Sequence, residues 1–108
     1  MTKQNIFNCA IERYGLRQQK TVAIEELSEL QKEICKDLRL ELTSVETLAE
    51  EIADVEIMLE QLKMMYEKRY QEGSLADNDF RLRIDNYKEY KIKRLAIRMG
   101  LDEKIKDL

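Results

Sequence analysis

The chain has 108 residues, a net charge of −3, and 38% charged beside 44% hydrophobic residues. This balance fits one folded domain, residues 1–108, and excludes a disordered polypeptide. With no proline and only three glycines, helix breakers are scarce, and no apolar run approaches the roughly 20 residues of a membrane span.

The first apolar group, Ile6, Cys9, Ala10 and Ile11, predicts a short helix ending near Gly15. A second helix is expected from Gln18 to Leu38, with a stripe of Ala23, Leu27, Leu30, Ile34 and Leu38 at spacings of three and four. Thr43 and Glu46 have the spacing of a capping box and predict the start of a third helix. That helix carries Leu48, Ile52, Val55, Leu59, Leu62 and Tyr66 and is expected to reach Tyr70. Residues 72–79 read as a loop, with Asp79 as the N-cap of a fourth helix from Phe80 to Met99, closed by Gly100. The last eight residues are expected to fray.

The expected fold is therefore all-α, an antiparallel helical bundle, because short loops join long helices. So small a domain buries a limited share of its surface, and completion of the core by homodimer or homotetramer formation is expected. Met58, Met64, Met65 and Tyr66 could serve core or interface. Cys9 and Cys35 lack metal-site spacing and are expected to be free thiols in a reducing compartment. Residues 1–5 lack the apolar core of a signal peptide, so the expected location is cytoplasmic.

Charge is unevenly spread. Residues 1–24 carry a net +3, residues 25–60 a net −9 and residues 61–108 a net +3. Two acidic pairs dominate the middle, Glu26 with Glu29 and Glu51 with Asp54, each three residues apart on one helix flank. Like charges at this spacing destabilise a helix unless something compensates. Glu51 also falls within the apolar stripe of its helix, where a lone buried charge is costly. Four carboxylates without a histidine make a hard oxygen site suited to Mg²⁺ or Mn²⁺, and the lack of histidine argues against a ferritin-like di-iron bundle.

These words resemble a known family. Glu26-x-x-Glu29, a gap of 21 residues, then Glu51-x-x-Asp54, in the contexts Ala23-Ile24-Glu25-Glu26-Leu27-Ser28-Glu29-Leu30 and Ala49-Glu50-Glu51-Ile52-Ala53-Asp54-Val55, are similar to the signature of the MazG-like all-α nucleotide pyrophosphohydrolases. The likeness covers residues 15–66 well and the last helix more loosely. It implies Mg²⁺-dependent hydrolysis of a nucleoside, in particular a deoxynucleoside, triphosphate to the monophosphate and pyrophosphate. It makes Glu26, Glu29, Glu51 and Asp54 the metal ligands and catalytic groups. It leaves Glu25 and Glu50 as solvent-facing or supporting residues.

The fourth helix offers the complementary charge, with seven bases against Asp85 and Glu89 over residues 81–98. Lys91 and Arg94, with Tyr87 on the same face, are the expected grip on the β and γ phosphates and the border of the base; Tyr90 is the alternative border. Gln19 resembles a glutamine preceding the first acidic motif in small family members, where an amide can read a base edge. The competing reading is a non-catalytic helical adaptor, against which the placement of Glu51 speaks. A nucleic-acid binder is disfavoured, since no recognised motif appears and the acidic middle repels phosphate.

Overall fold

The computed structural model describes residues 1–72 and 79–101 and is helical wherever it forms regular structure. Four helices follow in order: α1 (Lys3–Tyr14), α2 (Leu16–Leu38), α3 (Val45–Glu72) and α4 (Phe80–Arg98). No helix among the described residues is long and apolar enough to cross a membrane. Residues 73–78 of the expected loop and residues 102–108 of the expected frayed end lie outside the described residues. Two compact units divide the chain, Met1–Tyr66 and Glu67–Leu108.

In the first unit, Thr2 caps α1 by accepting from the Asn5 amide at 3.1 Å. Gly15 ends α1 with φ 88° and ψ 159°. A side chain strongly disfavours that conformation, so the glycine permits α2 to begin at once, two residues earlier than predicted, and to pack against α1. The start of α3 also departs from expectation. Ser44, not Thr43, is the cap, its Oγ accepting from the Thr47 amide at 3.0 Å. Thr43 is engaged elsewhere: its hydroxyl donates to Glu33 Oε2 at 2.9 Å, while Lys36 Nζ donates to Glu33 Oε1 at 3.1 Å. The Thr43 hydrogen bond first, and Lys36 second, pull the Glu33 carboxyl below its ordinary range. This buried carboxylate pins the α2–α3 connection to the end of α2.

The helix ends show one rule used twice. Past α2, the Glu41 amide donates to the Lys36 carbonyl and the Leu40 amide to the Asp37 carbonyl. Past α4, Leu101 donates to Ala96 and Gly100 to Ile97. Both are Schellman closures, which need a left-handed residue just beyond the helix. After α4 that residue is Gly100, as predicted, at φ 74°, whereas after α2 it is Leu40 at φ 59°. A leucine there meets a steric penalty that glycine avoids. Leu40→Gly is expected to stabilise the protein by about 0.5–1 kcal/mol, after the larger chain entropy of glycine is subtracted. A rise in thermal midpoint checks this.

The inward faces differ from the predicted stripes. On α2 the buried or half-buried line is Gln19, Ala23, Glu26, Leu30 and Glu33. Leu27, Ile34 and Leu38 of the apolar stripe are exposed instead. On α3, Val55, Met58, Gln61 and Met65 are buried, Leu48 and Leu62 half-buried, and Ile52 and Leu59 exposed. Met58 and Met65 thus serve the core.

In the second unit, Asp79 caps α4 as predicted, accepting from the Leu82 amide at 3.1 Å. Arg81 is paired with Glu67, and the Tyr70 and Phe80 rings lie 5.6 Å apart. These contacts join the end of α3 to the start of α4.

Candidate metal centre

The acidic site is assembled within the first unit from α2 and α3. Rising positions on α2 meet falling positions on α3: Gln19 contacts Gln61, Glu26 interacts with Asp54, and Glu33 reaches Thr43 just before α3. This register brings the two acidic words opposite each other. One carboxylate oxygen each from Glu26, Glu51 and Asp54 lie within 4.8 Å of one another. Oxygens sharing one Mg²⁺ at about 2.1 Å stand roughly 3–4 Å apart, so only a small closure separates this set from a ligand set.

Electrostatics at the cluster are unfavourable as the carboxylates stand. Burial, followed by the charges of Asp54 and Glu51, pushes the Glu26 carboxyl above its ordinary range, and its hydrogen bond with Asp54 acts in the same direction. Burial, followed by the charges of Asp54, Glu29 and Glu33, raises Glu51 likewise. Glu51 Oε2 is fully buried and has no hydrogen-bond partner, the one such side-chain atom found among the described residues. Buried polar atoms are rarely left so, and an orphan usually marks a place where an ion or water belongs. The donor set is all carboxylate oxygen, which fits a hard divalent cation.

Glu29 lies one helical turn beyond Glu26 and is exposed. It stands outside the three-oxygen group, but its charge acts on both Glu26 and Glu51. Glu25 and Glu50 are exposed.

Gln19 is buried, rather than a surface residue at the helix start, and its Nε2 donates to Gln61 Oε1 at 2.8 Å. Beside it, Lys20 Nζ lies 4.7 Å from the centre of the Tyr66 ring. Gln61 was not foreseen; its place three residues after Met58 and four before Met65, on the same helix face, was the available signal. Tyr87, Lys91 and Arg94 are exposed on α4 in the second unit. There the Arg94 guanidinium lies over the Tyr90 ring at 5.8 Å, and Lys93 pairs with Glu89 at 3.2 Å.

Compared with known proteins, the chain matches no family model, no curated protein and no solved structure.

Proposed function

We propose that the protein is a Mg²⁺-dependent nucleoside triphosphate pyrophosphohydrolase of the MazG-like kind, cleaving the α–β phosphoanhydride to give a monophosphate and pyrophosphate. The observation that carries this reading is the convergence of Glu26, Glu51 and Asp54 around a buried, unpartnered carboxylate oxygen. The descending pairing of α3 against α2 supports an antiparallel helix pair as the frame, and the small core supports action as an oligomer.

In this reading Glu26, Glu51 and Asp54 hold the cation, with Glu29 at the rim where it can join the ligand set or face a second ion. When bound, Mg²⁺ supplies Lewis acidity and neutralises charge that builds on the phosphoryl oxygens during hydrolysis. The protein's part is to fix the carboxylates on rigid helices, so that little rearrangement accompanies binding of the triphosphate. A carboxylate not fully committed to the cation is suited to take the proton of the attacking water. From the sequence, Gln19 stays a candidate for a base edge, and Lys91 and Arg94, with Tyr87, stay candidates for phosphate on the strength of charge alone.

A panel of NTPs and dNTPs with Mg²⁺ or Mn²⁺, scored separately for pyrophosphate and orthophosphate, tests the proposal. Pyrophosphate with an equal amount of monophosphate is expected. Orthophosphate as the sole product would move the cleavage site, and no turnover of any nucleotide would favour the adaptor reading.

A further inference from the structure

The inward seam of α2 alternates in kind. Gln19, Glu26 and Glu33 stand seven residues apart, with the apolar Ala23 and Leu30 between them. Gln19 and Glu33 are buried, and each meets a polar partner from α3 or the turn before it. Gln19 Nε2 donates to Gln61 Oε1 at 2.8 Å, and the Thr43 hydroxyl donates to Glu33 Oε2 at 2.9 Å. Lys36 Nζ donates to the other Glu33 oxygen at 3.1 Å. Glu26, midway along this seam, is the residue that meets Asp54 and Glu51. The carboxylate cluster thus lies between two polar clasps.

The cluster cannot align the helices by itself. Without a cation its carboxylates repel one another, which opposes close approach of α2 and α3 at that level. The apolar contacts define register weakly. Met58 and Met65 lie three residues before and four after Gln61 on the same face. A slip of α3 by one turn therefore puts a methionine where Gln61 stands, and methionine adapts to most apolar neighbours. The clasps do not tolerate that slip. It would set Gln19 against Met58 or Met65 and take Thr43 from Glu33, leaving a buried amide and a buried carboxylate oxygen without partners. Polar residues on an apolar seam fix register in this way in coiled coils, at a cost in stability. The same slip, about 5.4 Å along the axis, would carry Glu51 and Asp54 past Glu26, with which they now share oxygens within 4.8 Å.

We infer that Gln19 with Gln61, and Glu33 with Thr43, are register-setting pairs whose role is to position Glu51 and Asp54 of α3 opposite Glu26 of α2. These four are positioning residues and act through the carboxylates. That the aligned carboxylates then hold a divalent cation rests on the proposed function; the alignment itself does not.

The test replaces both pairs by apolar residues of similar shape, Gln19→Leu, Gln61→Leu, Glu33→Leu and Thr43→Val, in one full chain. Nitroxide labels at the exposed positions Glu25→Cys and Glu46→Cys, with Cys9→Ser and Cys35→Ser, report the alignment of α2 and α3 by double electron–electron resonance in EDTA. With the native pairs one distance is expected. Without them a second distance, displaced by up to the ~5.4 Å of one turn, is expected at a thermal midpoint close to that of the native chain. On the unlabelled proteins Mn²⁺ affinity should fall at least about 10-fold, as when supporting groups around a metal site are removed. Should the fourfold variant not fold, Gln19→Leu with Gln61→Leu alone carries the same readouts. A single native distance in the folded variant would overturn the inference, as would undiminished Mn²⁺ binding by it. A lowered midpoint with the distance unchanged would reduce the pairs to ordinary structural contacts. If the native chain binds no Mn²⁺ while the displaced distance appears, the hydrolase proposal fails and the register assignment stands. An unchanged distance in a variant of a chain that does bind Mn²⁺ gives the reverse.

Discussion

Glu51→Gln is expected to abolish nucleotide hydrolysis while making the metal-free protein more stable. The side chain keeps its shape and loses a charge that repels Asp54 and Glu29 and has one oxygen buried without a partner. Turnover should fall by at least about 100-fold, since even groups behind the ligands of a metal site cost 10–100-fold when removed. Asp54→Asn should give the same loss of activity. The stability gain has a defined pH window. Both Glu26 and Glu51 have carboxyls raised in the folded state, so the folded protein binds more protons than the unfolded one just above pH 4.5. Their contribution is therefore fully favourable below 4.5 and is lost as the pH rises through the raised folded values. Added Mg²⁺ should restore stability at neutral pH in the wild type and not in Glu51→Gln. Melting curves with EDTA and with Mg²⁺, at acidic and neutral pH, read out all of these effects. A Glu51→Gln protein less stable than wild type in EDTA would mean that the carboxylate serves the core rather than a cation.

The second large effect lies at the buried amide pair. Gln61→Leu is expected to cost about 1–3 kcal/mol, because it leaves the Gln19 amide buried without its partner. Replacing Gln19 and Gln61 together by leucine should return most of that loss, since two apolar groups of similar shape need no hydrogen bond. The double-mutant cycle by denaturant unfolding gives the coupling directly. The same pair bears on substrate. Gln19 Nε2 is committed to Gln61, so if Gln19 reads a base, Gln61→Leu should raise KM more than it lowers kcat.

Much of this was legible in the sequence, and the exceptions share a cause. Helix order, the Asp79 cap and the Gly100 stop follow from local chemistry and were read correctly. The cap of α3 was assigned to Thr43 because its spacing to Glu46 is ideal, but the Thr43 hydroxyl is taken by Glu33 across the connection, and Ser44 serves instead. That competition is tertiary and leaves no trace in a local window. The inward face of α2 was misjudged for a related reason. Hydrophobic periodicity pointed to Leu27, Ile34 and Leu38, whereas the buried line includes Gln19, Glu26 and Glu33. Apolar patterning weighs side-chain type alone, so it passes over the hydrogen-bonded Gln19 and Glu33 and the clustered Glu26 and selects leucines that stand exposed. The convergence of Glu26, Glu51 and Asp54 followed from spacing once α2 and α3 were taken as neighbours. The exposure of Glu29 did not, because residues three apart are turned by about 60° around the helix, and which of the two faces inward depends on how the next helix packs.

The carboxylate cluster as a cation site is most directly tested by titrating the protein with Mn²⁺ and following free ion by electron paramagnetic resonance, without nucleotide. The wild type should bind Mn²⁺ and release it to excess Mg²⁺, Glu51→Gln and Asp54→Asn should lose that binding, and Glu29→Gln should keep part of it. Equal Mn²⁺ uptake by the wild type and by a variant with Glu26, Glu51 and Asp54 all neutralised would contradict the account.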